Sequence, residues 1–554
     1  MKQRDKNRFS PIMMAVCVVF GIFVGTFYAN HFSGNRLNII NTGSNRLTNL
    51  LHVISDRYVD KVNIDSLVSK AIPQILSELD PHSVYISAEE VQAATEDLKG
   101  SFSGVGIEFI IRKDTLRIQN VIKNSPAEKA GLLAGDKIVE IDDSAFVGKK
   151  VDNDEAMRRL KGPKDTKVKI GIIRYGKGNA VKRFTVTRGD IPRKTVVAAY
   201  MADENTGYIK IRSFGETTYA EMLIALAKLS QEGFSNLVID LRDNTGGYLQ
   251  QAVNMINEFL PKDRLIVYTE GLHAKRQDFM SDGRGTYSDI PLVVLIDEAS
   301  ASAAEIFAGA IQDNDRGTVI GRRSFGKGLV QEQLAFNDGS LIRLTVARYY
   351  TPSGRCIQKP YEGGNNKSYD EDIIDRYKHG EFFSQDSIHH TGPAYHTLKN
   401  REVFGGGGIT PDIFIPEDTT DVTSYYRLAA ASGLILQFCF DYTDNNRGTL
   451  SKYTDADELL AYIKSQGLLN KFVTFAEKNG LRRRNLMIKK SRGLLEKFIY
   501  SRIIYTMLDE EAWIQYLNSD DTTLLEAVKV MNEGRAFPEA PEKKEDGRKE
   551  DSKK

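Results

Sequence analysis

Hydrophobic positions change their rhythm several times along the chain, and each change predicts a different kind of element. The first apolar stretch is continuous. An uncharged run from Phe9 to about Phe32 centres on Ile12–Ala29 (IMMAVCVVFGIFVGTFYA). Coiled as a helix it measures about 27 Å, close to the thickness of a membrane's hydrocarbon core. Lys2, Arg4, Lys6 and Arg8 precede it against a single acid, Asp5, a flank that favours the cytoplasm and sends the remainder across. An uncleaved anchor over residues 1–32 is the expectation. A cleaved signal peptide is the competing reading, opposed by the block's length and by bulky Phe27 where Phe27-Tyr28-Ala29 would need a small residue.

From residue 45 to 98 the apolar spacing is three and four, as in Leu47, Leu50, Leu51, Ile54 and Tyr58, which predicts a helical lead-in with a turn at Asp80-Pro81-His82-Ser83. Residues 100–190 alternate in short runs between Gly, Pro and Asp, the pattern of a small β domain. Residues 195–360 alternate strand-like and helix-like segments, and Ile409–Ile415 within 405–418 reads as a returning strand; together they predict an α/β core. Between them, 361–404 is polar and reads as an exposed insertion. Residues 421–536 are helical in period, and the charged tail 538–554 has the composition of a disordered segment. The fold class expected is multidomain, α/β and β.

Composition narrows little. The chain has 554 residues, 41% hydrophobic and 27% charged, with a net charge of +1 that argues against a general nucleic-acid binder. Three cysteines, with no paired Cys/His spacing, suit neither a disulfide framework nor structural zinc.

Candidate chemistry lies in the α/β region. Leu237–Arg242 is a buried-strand pattern ending in Asp243-Asn244-Thr245-Gly246-Gly247, where glycines expose backbone N–H groups at the carboxyl end of a strand. A second buried strand, Pro291–Asp297, runs into Ser300-Ala-Ser-Ala-Ala-Glu305 and an alanine-rich helix. Strand, sharp turn and helix form the layout that lifts a serine hydroxyl above a sheet edge, next to free N–H groups able to hold an oxyanion. Ser300 or Ser302 serves equally well as a plain N-cap. A serine nucleophile needs a base, and no histidine stands in an obvious motif nearby. Lys327, between Gly326 and Gly328, is the alternative, because burial disfavours the charged form of an amine. Gln331 follows one short step later.

Ser300–Glu305, Phe325-Gly-Lys-Gly328 and Gln331 together closely resemble the C-terminal processing peptidases, which are Ser–Lys endopeptidases with a PDZ domain. Leu79–Tyr85, the Gly246-Gly247 loop and Gly407–Asp412 resemble further segments of that family in consistent order. The resemblance implies Ser302 as nucleophile and Lys327 as general base and later acid, with Gln331 orienting Lys327. It implies an oxyanion hole from the N–H of Ala303 and one from Gly246 or Gly247; which glycine donates is open. Ser103–Phe109, Ser125–Gly131 and Gly135–Ile141 resemble PDZ segments, so that Gly104, Val105, Gly106 and Ile107 would receive a substrate's C-terminal carboxylate. The implied protein is a serine endopeptidase of the bacterial inner membrane facing the periplasm. It would need no metal or other cofactor and bind apolar protein C-termini; a homo-oligomer or an adaptor remains open. The rival is an inactive PDZ-bearing scaffold. Two features fall outside this picture. The basic run Arg482, Arg483, Arg484, Lys489, Lys490 and Arg492 reads as a solvated or partner-facing helix surface with phospholipid contact open. His389, His390 and His396 fit no standard metal spacing.

Overall fold

The computed structural model describes residues 10–32, 46–112, 114–148, 151–174, 180–390 and 392–540. The chain divides into two compact units, residues 1–75 and 76–554. The first holds the helices Ser10–Phe32 and Arg46–Arg57 and most of Ile64–Ser77. Apolar side chains from Met13 to Val24 stand exposed along the first of these helices. Among the described residues no helix is long and apolar enough to cross a membrane; on Ser10–Phe32 the described side chains run only from 13 to 24, with 26.

In the second unit a six-stranded sheet forms the core, in the order Val196–Met201, Thr206–Ile211, Asn236–Asp240, Leu292–Ile296, Thr318–Gly321, Ile413–Phe414. The first pair is antiparallel and the rest are parallel. Central strands of a parallel sheet are covered on both faces, which is why Leu237–Ile239 and Leu292–Ile296 are apolar at every position. Leu237, Ile239, Leu292, Val294 and Ile296 pack under the helices Thr218–Glu232, Leu249–Asn257 and Ala303–Asp313. Val238, Val293 and Leu295 face the other way, onto Ile514, Leu524, Ala527, Val530 and Met531 of the last two helices. The last two helices therefore complete the α/β core, while Ser424–Met507 forms a bundle with its own core around Phe438, Phe472 and Ile499.

Residues 101–192 form the β domain. Its sheet runs Ile107–Arg112, Thr115–Val121, Lys137–Ile141, Lys167–Ile173, Lys182–Thr187, so Ile107–Arg112 is an edge strand. A separate ribbon pairs Ser101–Gly104 with Gly189–Pro192 and closes the neck where the chain enters and leaves.

Two expectations need correction. Val84–Ile86, read as part of a helical lead-in, is a strand that pairs antiparallel with Leu341–Tyr350 in a second sheet. The 361–404 segment, exposed at most of its described positions, is an ordered insertion with a buried side of its own. It contains the helix Asn366–Lys378 and the hairpin Ala394–His396 with Glu402–Phe404, and it buries Tyr369, Arg376, Phe382 and Glu381. The anchor's basic flank (residues 1–9) and residues 541–554 of the tail lie outside the described residues.

Candidate active site

Ser302 follows the fully buried strand Leu292–Ile296 and caps the helix Ala303–Asp313 with φ +56° and ψ −116°. A left-handed φ is unfavourable for a residue with a Cβ and persists only where the surroundings impose it. Three contacts do so here. The Ser302 N–H donates to Glu305 Oε2 at 2.8 Å, its carbonyl accepts from Tyr349 Oη at 3.1 Å, and the neighbouring Ala301 N–H donates to the Asn244 carbonyl at 2.9 Å. The two serines of the motif part company at this point. Ser300 is fully buried, and its Oγ donates to the Leu241 carbonyl at 2.8 Å and receives the Asp297 N–H at 2.9 Å. Ser302 Oγ makes no hydrogen bond among the described residues and lines a cleft of about 1060 Å³.

Lys327 lines the same cleft, on the turn before the strand Leu329–Ala335. Burial pushes its amine below the ordinary lysine value; the Arg343 guanidinium acts in the same direction, and Glu305 and Asp80 oppose. No hydrogen bond joins Lys327 Nζ to Ser302 Oγ among the described residues. Contacts of the backbone hold the two residues together instead. Fully buried Glu305 accepts the N–H groups of Gly326 at 2.7 Å and Lys327 at 2.8 Å, besides that of Ser302 and the Ser324 hydroxyl. Tyr349 Oη, which bonds the Ser302 carbonyl, also donates to the Lys327 carbonyl. Burial lifts the Glu305 carboxyl to about 7, with those donors pulling the other way. The 361–404 segment supports this loop from outside: Arg376, itself paired with Glu381, donates to the carbonyls of Ser324 at 3.0 Å and Arg323 at 2.7 Å.

Gln331 lines the cleft but points its Nε2 at the His82 carbonyl, 2.7 Å away, and not at Lys327. Asp80 explains why His82 is there. Its buried carboxylate accepts the N–H groups of His82 and Ser83, the Ser83 hydroxyl and the Thr345 hydroxyl, fixing the turn against the second sheet. Burial, with the Lys327 charge behind it, drives the His82 imidazole down to about 4.

The glycine pair separates as well. Gly246 (φ +99°) donates its N–H to Asn244 Oδ1 at 2.9 Å, and a Cβ there would meet Ser302 Cβ at 2.7 Å. The N–H groups of Gly247 and Ala303 have no acceptor among the described residues. In the β domain the carbonyls of Val105 and Gly106 accept Ala127 N–H at 2.8 Å and Ile122 N–H at 3.1 Å, and Gly106 (φ +83°) fits because a Cβ would strike Ser125. The N–H groups of Val105 and Gly106 are unused among the described residues. Gly104 belongs to the neck ribbon and Ile107 opens the edge strand.

Glu305 and Tyr349 carry the framework, and neither role was predicted. Glu305 stands in the quoted motif as a charge on an apolar helix, a signal that such a group must be paired; Tyr349 left no local signal. No three side chains of metal-binding type converge among the described residues.

Residues 205–364 match peptidase family S41, residues 103–187 a PDZ domain, and residues 425–509 a family of unknown function. The carboxy-terminal-processing protease of Bartonella bacilliformis (strain ATCC 35685 / KC583 / Herrer 020/F12,63) is 37% identical over 320 residues, 56% of this chain and 72% of that protein. The chain belongs to peptidase family S41, among the carboxy-terminal processing proteases. The carboxy-terminal processing protease CtpA of Bacillus subtilis (strain 168) is 35% identical over 57% of this chain and 66% of its own length. A probable CtpA-like serine protease of Staphylococcus haemolyticus (strain JCSC1435) is 35% identical over 55% and 60%. The match thus spans slightly less than two thirds of these last two relatives. A solved photosystem II D1 C-terminal processing protease is 28% identical over 58% of this chain and 93% of that one, with a TM-score of 0.34.

Proposed function

We propose that this chain is a serine endopeptidase that takes hold of protein C-termini and cleaves through an acyl-enzyme on Ser302. One observation carries the reading: the Ser302 hydroxyl, left unpaired on a strained turn, shares a cleft with a half-buried lysine whose backbone is tied to its own. Lys327 Nζ, neutral, accepts the Ser302 proton as Oγ attacks the scissile carbonyl; the resulting ammonium then protonates the leaving amine. Water, deprotonated by the same amine, releases the acyl group. The N–H groups of Gly247 and Ala303 receive the oxyanion, since that of Gly246 is already bonded to Asn244. Gln331 ties the strand that follows Lys327 to the His82 carbonyl, in place of orienting the amine directly.

The unused N–H groups at Val105 and Gly106, with Gly104 and Ile107 flanking, receive the substrate carboxylate. The Ile107–Arg112 edge takes the tail as an added strand. Residues 1–32 act as an anchor in the inner membrane: Ile12–Ala29 is uncharged, and a basic flank precedes it. That orientation places the peptidase on the periplasmic side. Peptides with an apolar tail, as free acids and as C-terminal amides, test the reading. Cleavage is expected for the free acid, weaker for the amide and absent in Ser302→Ala; undiminished turnover in that variant would reject the mechanism.

A further inference from the structure

One strongly charged surface has no part in this chemistry. Residues 480–492 carry six bases, Arg482, Arg483, Arg484, Lys489, Lys490 and Arg492, and no acid, in a chain whose net charge is +1. All six are exposed, and among the described residues only Arg492 has an ion-pair partner, Glu496 at 3.0 Å. The apolar residues of the same segment divide sharply. Leu481, Met487 and Ile488 pack against the core of the C-terminal bundle, whereas Leu486 is 86% exposed at the start of the helix Asn485–Lys490. It therefore projects from the cationic patch and is no displaced core residue.

We propose that this patch is a membrane-contact surface: the cations meet anionic lipid headgroups while Leu486 inserts between them. Unpaired bases are attracted to an anionic leaflet only within a Debye length, and an apolar tip adds penetration that charge alone does not supply. The combination favours a lipid surface over an acidic protein, which would leave Leu486 in water. The inference extends the membrane placement proposed above by adding a second contact, made by the C-terminal bundle.

The test uses the full chain with Trp513→Phe, which removes its only tryptophan, and Leu486→Trp as the reporter. Protein is reconstituted into phosphatidylcholine vesicles with or without phosphatidylglycerol, each also made with brominated acyl chains. Bromine quenching and a blue shift are expected only with phosphatidylglycerol, and are expected to vanish in 0.5 M NaCl or on Arg482→Glu, Arg483→Glu and Arg484→Glu together. Peptide cleavage by that triple variant stays unchanged. Absence of quenching on anionic vesicles, or equal quenching on neutral ones, overturns the proposal. Flotation of the chain with both vesicle types reads the anchor separately, so the two ideas fail independently.

Discussion

Ser302 and Lys327 hang from one carboxylate oxygen, the backbone N–H of each reaching Glu305 Oε2 at 2.8 Å. Their carbonyls share a second partner, Tyr349 Oη. The two residues are thus spaced by main-chain contacts that do not change when either side chain is replaced. Ser302→Ala and Lys327→Ala are each expected to fold with a Tm near that of the wild type. Each is expected to lose at least about 10²-fold in kcat/KM, measured on a free-acid peptide.

The pH profile follows from the environment of Lys327. In the mechanism proposed, Lys327 works as the neutral amine, so activity is expected to rise with pH through its pKa, which burial and Arg343 hold below the ordinary 10.5. Arg343→Gln removes one of those two influences, and the rising limb is expected to move to higher pH in kcat/KM profiles. Lys327→Arg cannot deprotonate in this range and is expected to be inactive throughout.

Glu305 predicts a stability effect of definite sign. Its carboxyl is raised from 4.5 to about 7 in the folded chain, so the native state holds a proton that the unfolded state has released. Stability from this group is fullest below about 4.5 and falls as the pH climbs through about 7. Thermal unfolding from pH 4.5 to 7.5 is expected to show that decline, and Glu305→Gln to flatten it. The variant also replaces an oxygen acceptor with an amide donor beside Ser302 and Lys327, so kcat is expected to drop by about 10²-fold.

Tyr349→Phe keeps the buried ring and removes only the hydroxyl. Two part-buried carbonyls lose a donor, an expected cost of about 1–3 kcal/mol by chemical denaturation. If Tyr349 only filled space, kcat would survive; a fall in kcat with KM preserved identifies it as a positioning residue.

Gly246→Ala brings a Cβ to 2.7 Å from Ser302 Cβ and 2.8 Å from the Ala301 carbonyl, at a φ of +99°. Overpacking and backbone strain of this kind cost about 1–3 kcal/mol each. The expected outcome is a lowered Tm together with loss of cleavage, read in the same preparation.

What the sequence revealed and concealed follows physical lines. Leu292–Ile296 was legible because a strand covered on both faces is apolar throughout; the small-residue turn after it left Ser300 and Ser302 as equal candidates, and only the resemblance singled out Ser302. Val84–Ile86 was not: three residues carry no usable periodicity, and their partners at Leu341–Arg343 lie far along the chain. The 361–404 segment misled for a different reason. Its buried side chains include Arg376 and Glu381, paired at 2.8 Å, and polar composition hides burial that ion pairing permits. The resemblance implied Gln331 as the orienter of Lys327, and nothing local in the sequence announces that its amide donates to the His82 carbonyl, backbone from before the β domain.

That last contact bears on how the enzyme is made. Residues 80–86, translated before the β domain, must wait for Thr345 and its neighbours before their strand and turn have anything to bind. A nascent chain therefore finishes the β domain, whose pairings are internal, while the peptidase sheet is still open. Pairings of such long separation form late in folding. The strand and turn beneath Gln331 are consequently closed from across the whole β domain, and only once residues 341–345 have been made.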